Sequence, residues 1–350
     1  MESKKALDKI IRKSRVHFYK PIQIAEILYH YRNGANIDPA DLESYRNISK
    51  TWRDQISKRL VGRICTSSQK FQDNLFESNA MPPALLVELA EYNNKTDGLV
   101  ENYIYHKIKN RMSKLFEAIQ YLDTATPETF DLNDFIGIFT EEPGLRRSID
   151  KVYEITVYAL FSTIVRALRL EVSLSIKNLN AAIMSDFEEF LKLVVGLSKD
   201  KTEIKIPAKL FRVGVTNAAD RGLDMWANFG PAIQVKHVSL SEDIAEDVTE
   251  NITADRIVLI CLDGETEIIQ KISNQMPFSD RIQGIITLSD IERWYTTCLS
   301  EKYRGNLGQQ VLVDFKRELS FEFPCLNEIE PLITERGYKQ ELIVDEWSLT

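Results

Sequence analysis

The sequence predicts an α/β protein: a mixed β-sheet flanked by helices, carried behind a large and mainly helical N-terminal region. Three observations predict it. Up to about residue 170, apolar residues recur at helical spacing between Gly and Pro breaks. Beyond residue 170, short β-branched runs alternate with helical stretches. Between them, RGLDMWANFGPAIQVKHVSL (221–240) sets two alternating strands about a Gly230-Pro231 turn.

The helical region reads as segments 3–15, 21–33, 40–63, 82–94, 98–123 and 146–169. Breaks fall at Asn33-Gly34, Pro82-Pro83, Asp97-Gly98, Pro127 and Pro143-Gly144, and Asp38-Pro39 and Ser67-Ser68 suit helix starts. EVSLSI (171–176) then reads as a strand, 181–198 as a helix and EIKIPAKLFRVGV (203–215) as alternating strand. After the hairpin come a helix at 241–252, a buried strand at 256–263, a helix at 265–273, a strand at 282–287 and a helix from Ser289. The tail is helical and acidic. Three regions follow from this order: 1–140, helical, for recognition or dimerisation; 141–300, the α/β core; and 301–350, an acidic extension.

Composition narrows the class. The chain has 350 residues, 44% hydrophobic and 27% charged, as expected of a globular protein with a sizeable core. No apolar run reaches membrane-span length, and MESKKALDKIIRKSR is too charged for a secretory signal. Cys65, Cys261, Cys298 and Cys325 are scattered without metal or redox spacing, which predicts free thiols and a cytoplasmic location. With four histidines, a zinc site is not expected, and no phosphate-binding G-x-x-x-x-G-K-[ST] loop or G-x-S-x-G elbow occurs.

The net charge of −8 is unevenly spread. Residues 1–70 carry fifteen Lys/Arg against seven Asp/Glu, whereas 241–270 carry nine acids against one base. A basic region on an acidic body steers a polyanion to one face; the competing reading is a solvated helical surface.

The chemistry is read from the hairpin. A three-residue turn, Phe229 to Pro231, predicts that Asp224 lies directly across from Lys236, with Ile233, Val235 and Val238 as core residues on the other face. An acid facing a lysine holds a divalent cation and positions a water, the requirement for phosphodiester hydrolysis. Asp224 would be the direct ligand and Lys236 would orient the water and offset phosphate charge. Gln234 offers an amide oxygen without negative charge, and the Val235 carbonyl a further ligand. The competing reading has Asp224 capping a turn and Lys236 reaching to solvent.

Glu154 is the second acid. It is the only charge between Lys151 and Arg166 in KVYEITVYALFSTIVRAL (151–168). Such a glutamate is buried and paired, bound to metal, or on an exposed stripe beside Lys151. Arg212, Asn217 and Arg221 are candidate phosphate or base contacts, and Asp220 an alternative ligand or turn cap. His237 and Trp226 read as packed side chains.

Long blocks of the chain resemble the HaeII family of type II restriction endonucleases, within the PD-(D/E)xK nuclease superfamily in its D…QxK form. The blocks are KSRVHFYKPIQIAEILY (13–29), WRDQ, TSSQKFQDNLFE, EPGLRRSIDKVYEITVYALFS (142–162) and FRVGVTNAADRGLDMWANFGPAIQVKHVSL (211–240), continuing through DRIVLICL and RIQGIIT. The resemblance implies a Mg²⁺-dependent endonuclease cutting both strands of double-stranded DNA at a short palindrome of RGCGCY type. It implies that Asp224 and Glu154 hold metal and that Gln234 and Lys236 complete the centre. A palindromic target implies a two-fold homodimer, and the biology of the class a cognate DNA methyltransferase. Arg46, Lys50, Arg53, Lys58, Arg59 and Arg63 are expected on the DNA backbone. Two alternatives stay open: a DNA-binding protein with an inactive site, and a nuclease of this fold acting on modified DNA or junctions.

Overall fold

The computed structural model describes residues 1–14, 17–66, 72, 74–76, 80–141, 145, 148–177, 180–213, 223–236, 238–239, 241, 243, 252, 254–262, 281–323 and 328–338. The described residues of Met1–Val152 and Lys316–Thr350 gather in one compact unit, and those of Tyr153–Gly214 and Ala219–Phe315 in a second.

The first unit is helical: α1 (Glu2–Lys13), α2 (Tyr19–Arg32), α3 (Leu42–Tyr45), α4 (Ile48–Val61), α5 (Pro83–Lys95), α6 (Leu99–Thr124) and α7 (Leu132–Glu141). The segment expected as one helix over 40–63 is two. Asp41 accepts the Glu43 N–H to start α3, and the chain turns at Arg46-Asn47 before α4 begins. Helix α7 was not expected. Its signal is Asp131, whose Oδ1 accepts the Asn133 and Asp134 N–H groups at 2.8 and 3.0 Å, ahead of buried Leu132, Phe135, Ile136 and Phe139. Helix α2 is buried along most of its length because it sits between neighbours; Ile22, Ile24, Ile27 and Leu28 are fully inaccessible.

The C-terminal acids return to the basic helices of this unit. Arg59 pairs with Glu328 and, at 2.7 Å, with Glu335, and Lys109 pairs with Glu330. The charge asymmetry in the sequence is thus partly neutralised inside the fold.

The second unit begins within α8 (Ile149–Ala167). Then follow β1 (Glu171–Ser175), α9 (Ala181–Asp186), α10 (Glu188–Phe190), a π-turn at Leu191–Val195, and β2 (Glu203–Pro207). β1 and β2 pair antiparallel as a separate two-stranded sheet. The run read as one strand over 203–215 therefore divides: Pro207 ends β2, and Leu210–Arg212 starts β3 in another sheet.

That main sheet has the order β3-β4-β5-β6-β7, with β4 at Met225–Ala227, β5 at Ala232–Val235, β6 at Ile257–Ile260 and β7 at Ile282–Ile286. The first three strands run antiparallel and the last three parallel, which makes the sheet mixed. Ile257, Leu259 and Ile260 are inaccessible, as a central parallel strand requires. Helix α8 is fastened to this layer by Tyr153 Oη donating to the Cys261 carbonyl and Tyr158 Oη to the Leu210 carbonyl. Helix α11 (Leu288–Leu299) opens on a capping box between Thr287 and Asp290, and Tyr295 Oη donates to the Thr156 carbonyl at 2.9 Å. Helices α12 (Gln309–Glu322) and α13 (Ile329–Glu335) end the described chain. The helices expected at 241–252 and 265–273 fall largely or wholly outside the described residues.

Candidate active site

The β4–β5 hairpin has the three-residue turn its sequence led us to expect, but closed one residue earlier. Met225 faces Ile233 and Trp226 faces Ala232, and the Ala227 N–H donates to the Pro231 carbonyl. The turn is Asn228 to Gly230, not Phe229 to Pro231. Gly230 sits at φ 119°, where a Cβ would collide with the Arg256 guanidinium, so the turn forms around this glycine. The register moves by two, which preserves every face but changes partners: Asp224 stands opposite Gln234, and Lys236 lies one step further along. The expected direct pairing of Asp224 with Lys236 is corrected accordingly.

Asp224 is held where β4 separates from β5. Its Oδ2 accepts from Gln234 Nε2 at 2.7 Å and from the Val235 N–H at 2.8 Å, and its own carbonyl accepts the Val213 N–H. Two N–H donors on one oxygen stabilise the carboxylate as an anion. Gln234 is 4% exposed, and donating through Nε2 fixes its amide orientation. Its Oε1 is left buried with no hydrogen-bond partner among the described residues. A buried amide oxygen without a donor is costly, and a hard cation would satisfy it. Carboxylate and orphaned amide oxygen together fit a divalent metal. Among the described residues no three His, Cys, Asp or Glu side chains gather as a metal cluster, so ligation here would draw on the amide and the backbone. Lys236 is half-buried directly after β5, its N–H donating to the Ile260 carbonyl at 2.8 Å.

Glu154 is buried, which removes the exposed-stripe reading. Its Oε1 takes Arg212 Nη1 at 3.2 Å, with both side chains about 5% exposed or less. Arg212, expected as a DNA contact, is thus buried beside an acid instead. Strand alternation puts Arg212 with Met225 and Ile233, on the face away from Trp226, Ala232 and Gln234. Glu154 and the Asp224–Gln234 pair therefore belong to opposite faces of the sheet, a separation that spacing alone does not reveal.

Trp226, read as packed, is 43% exposed and stacks on Phe211 at 4.3 Å between ring centroids. This aromatic pair shares the face of Gln234. Alternation carried the information, since Phe211 and Trp226 are direct cross-strand partners. Val238, expected in the core, is 46% exposed. Asn217, Asp220, Arg221 and His237 lie outside the described residues.

Of the expected backbone contacts in the first unit, Arg53 is corrected to a core residue. It is 2% exposed and binds Asp54 and Gln23. Arg59 is engaged by Glu328 and Glu335, Arg46 by Glu43, and Arg63 by the Phe321 carbonyl and ring. Lys58 is exposed and Lys50 half-buried.

Comparison with known proteins gives a consistent picture. The family model for the HaeII restriction endonuclease matches residues 3–338. The chain is 47% identical over 345 residues to the type II restriction enzyme HaeII of Haemophilus aegyptius, covering 98% of each chain. It is 48% identical over 340 residues to the type II restriction enzyme NgoBI of Neisseria gonorrhoeae, covering 96% of each. No solved structure matches.

Proposed function

The chain belongs to the HaeII restriction endonuclease family, and from that premise we propose how it cuts DNA. As a member it is a type II restriction enzyme, a site-specific deoxyribonuclease acting on double-stranded DNA. The proposal concerns the machinery: a PD-(D/E)xK core in D…QxK form, with Asp224, Gln234 and Lys236 at the open end of the β4–β5 hairpin. The observation that carries it is the Asp224 carboxylate locked against a glutamine whose own oxygen is buried without a partner among the described residues.

Asp224, Gln234 Oε1 and the Val235 carbonyl would hold Mg²⁺; for Glu154 to be the further charged ligand it would have to leave Arg212 and reach the cation from the other face of the sheet. When bound, the cation supplies neutralising charge to the scissile phosphate and acidifies a water. The remaining work belongs to the chain. The Gln234 amide and the Val235 N–H keep the Asp224 carboxylate from rotating, so the site is ordered before DNA arrives. Lys236 directs its ammonium to the attacking water and to the charge developing on the phosphoryl oxygens. The buried walls of β5 and β6 raise the worth of both charges by excluding solvent. Glu154 has a competing use as the partner of Arg212. In that reading it positions β3 and adds no ligand.

The same proposal includes recognition of an RGCGCY-type palindrome, two-fold symmetry with one site per strand, a cytoplasmic location beside a cognate methyltransferase, and DNA recognition through residues 1–140. Discrimination of G·C pairs would come from Arg or Lys on guanine O6 and N7. Exposed Lys58 is a remaining backbone-contact candidate, with Asn217 and Arg221, which precede the hairpin in the sequence.

Digestion of unmethylated plasmid DNA with Mg²⁺ and with EDTA tests this reading. Discrete Mg²⁺-dependent fragments from the wild type, and none from Lys236→Ala with DNA binding intact, are expected. A Lys236→Ala protein that cuts at the wild-type rate would refute the site.

A further inference from the structure

The second unit carries an apolar surface that nothing in the cleavage chemistry uses. It lies on the excursion between β1 and β2. Residues 181–195 fold as α9, α10 and the π-turn, and their inner side supplies a thin core through Met184, with Leu197 following; both are buried. Their outer side is also apolar. Ile183, Phe187, Phe190 and Val194 follow one another at spacings of four, three and four, and Leu193 adjoins them. All five are 53–77% exposed. An excursion apolar on both sides is suited to lie between two layers, and among the described residues nothing covers its outer side. β1 and β2 form a two-stranded sheet, and among the described residues no third strand joins it. Such a ribbon is marginal without further packing.

We propose that this arm, residues 168–208, is the self-association surface through which two copies of the chain pair. Area supports a protein partner. The five side chains, each more than half exposed, offer on the order of 600 Å² of mostly apolar surface, at the upper end of what a monomer shows in one patch and approaching the roughly 800 Å² each partner gives a standard interface. Charge supports a second copy over DNA. The arm has six Lys/Arg and six Asp/Glu, so it offers a polyanion no net attraction. Several of these charges are already paired within the arm, as Lys192 with Glu188 at 2.9 Å and Lys205 with Glu171 at 3.5 Å. A neutral face meeting its own copy across a two-fold axis suffers no like-charge penalty. The choice of a second copy rests on the reading that both strands of a palindrome are cut. It moves dimerisation from the N-terminal helices to the arm.

Sedimentation velocity on the full chain tests it, with Phe187→Glu/Leu193→Glu as the variant. The wild type is expected to be a dimer at micromolar concentration. The variant is expected to dissociate at least about a hundred-fold more readily, with an unchanged far-ultraviolet circular dichroism spectrum. Should the double variant misfold, Leu193→Lys alone, at the most exposed of these positions, is held to the same criterion. A variant that dimerises as tightly as the wild type overturns the arm while leaving the palindrome reading intact. A wild type that stays monomeric with and without DNA overturns the arm and removes the two-fold premise with it. A variant that remains dimeric but loses DNA affinity assigns the surface to DNA and also overturns the proposal.

Discussion

Carboxylates are anchored in both units, and the buried ones of the helical unit are held differently from the half-buried Asp224 at the hairpin. In the helical unit, Glu26 receives a bidentate guanidinium from Arg336 at 2.7 and 2.9 Å and a hydroxyl from Tyr105. Glu101 receives Arg32 at 2.7 Å, Asn93 at 3.0 Å and Tyr338 at 2.5 Å. The same groups interlock: Arg336 lies 3.8 Å over the Tyr29 ring, and Tyr105 stacks with Tyr338. This network ties the C-terminal segment to α2 and α6. At the hairpin, Asp224 is gripped by Gln234 and the Val235 N–H, and that glutamine keeps an oxygen without a donor among the described residues. A network closed on itself contributes stability, whereas one left open beside an anion is arranged for something not yet there. The difference teaches which anchored charges to assign to folding and which to chemistry.

The sharpest break of this comparison is at Gln234. Replacing it by leucine removes the orphaned oxygen and one grip on Asp224. Cleavage is expected to fall about a thousand-fold, equal to several kcal/mol of lost transition-state stabilisation, while resistance to urea stays level or rises. Glu154→Gln separates the two uses of that acid. A fall in activity with a raised Mg²⁺ requirement marks a ligand; a fall in stability alone marks the Arg212 partner. Single-turnover cleavage against Mg²⁺ concentration, beside urea unfolding, distinguishes these outcomes.

The converse holds at Arg336. Arg336→Met leaves Glu26 buried without its cation, and about 3 kcal/mol of stability is expected to be lost. Cleavage per folded molecule should not change at a temperature where the variant stays folded. Adding Glu26→Gln should recover part of the loss, because the uncompensated charge is then gone. A cleavage defect in the folded single variant would show that the network serves the site and is not purely structural.

Much of this was legible beforehand because helical and strand periods are written locally. The helices near 2–13, 19–32, 83–95, 99–124 and 149–167 and the strands at 257–260 and 282–286 follow directly from spacing and breakers. Family membership was legible in the long blocks around Asp224. The hairpin register was not, because it depends on which side of Phe229 the turn closes, a matter decided by Arg256 packing over Gly230. The fates of Arg53 and Arg212 were also hidden. A basic residue reads as surface until its partner is known, and Gln23 and Glu154 are distant in sequence. Likewise the charge contrast between the N-terminal and C-terminal regions looked like a polyanion-binding device. Part of it is instead spent internally on pairs such as Arg59 with Glu335.

The smallest expected effect lies at the edge of the closed network, at His30. Its ring stacks on Trp52 at 3.9 Å, and burial lowers its pKa below the ordinary value of 6.5. Glu26, 3.8 Å from Nε2, and Glu101 oppose that shift, and Arg336 reinforces it. A histidine with a lowered pKa binds protons more readily once unfolded. Its contribution is therefore complete above about pH 6.5 and is lost as pH falls from there through the lower folded-state value. Urea midpoints at pH 7.5 and 5.5 should differ more for the wild type than for His30→Gln, which cannot take up the proton. An equal difference in both proteins would mean that the ring titrates alike in the folded and unfolded chain. The closed network would then extend no further than Glu26, and the stack on Trp52 would stabilise both protonation states equally.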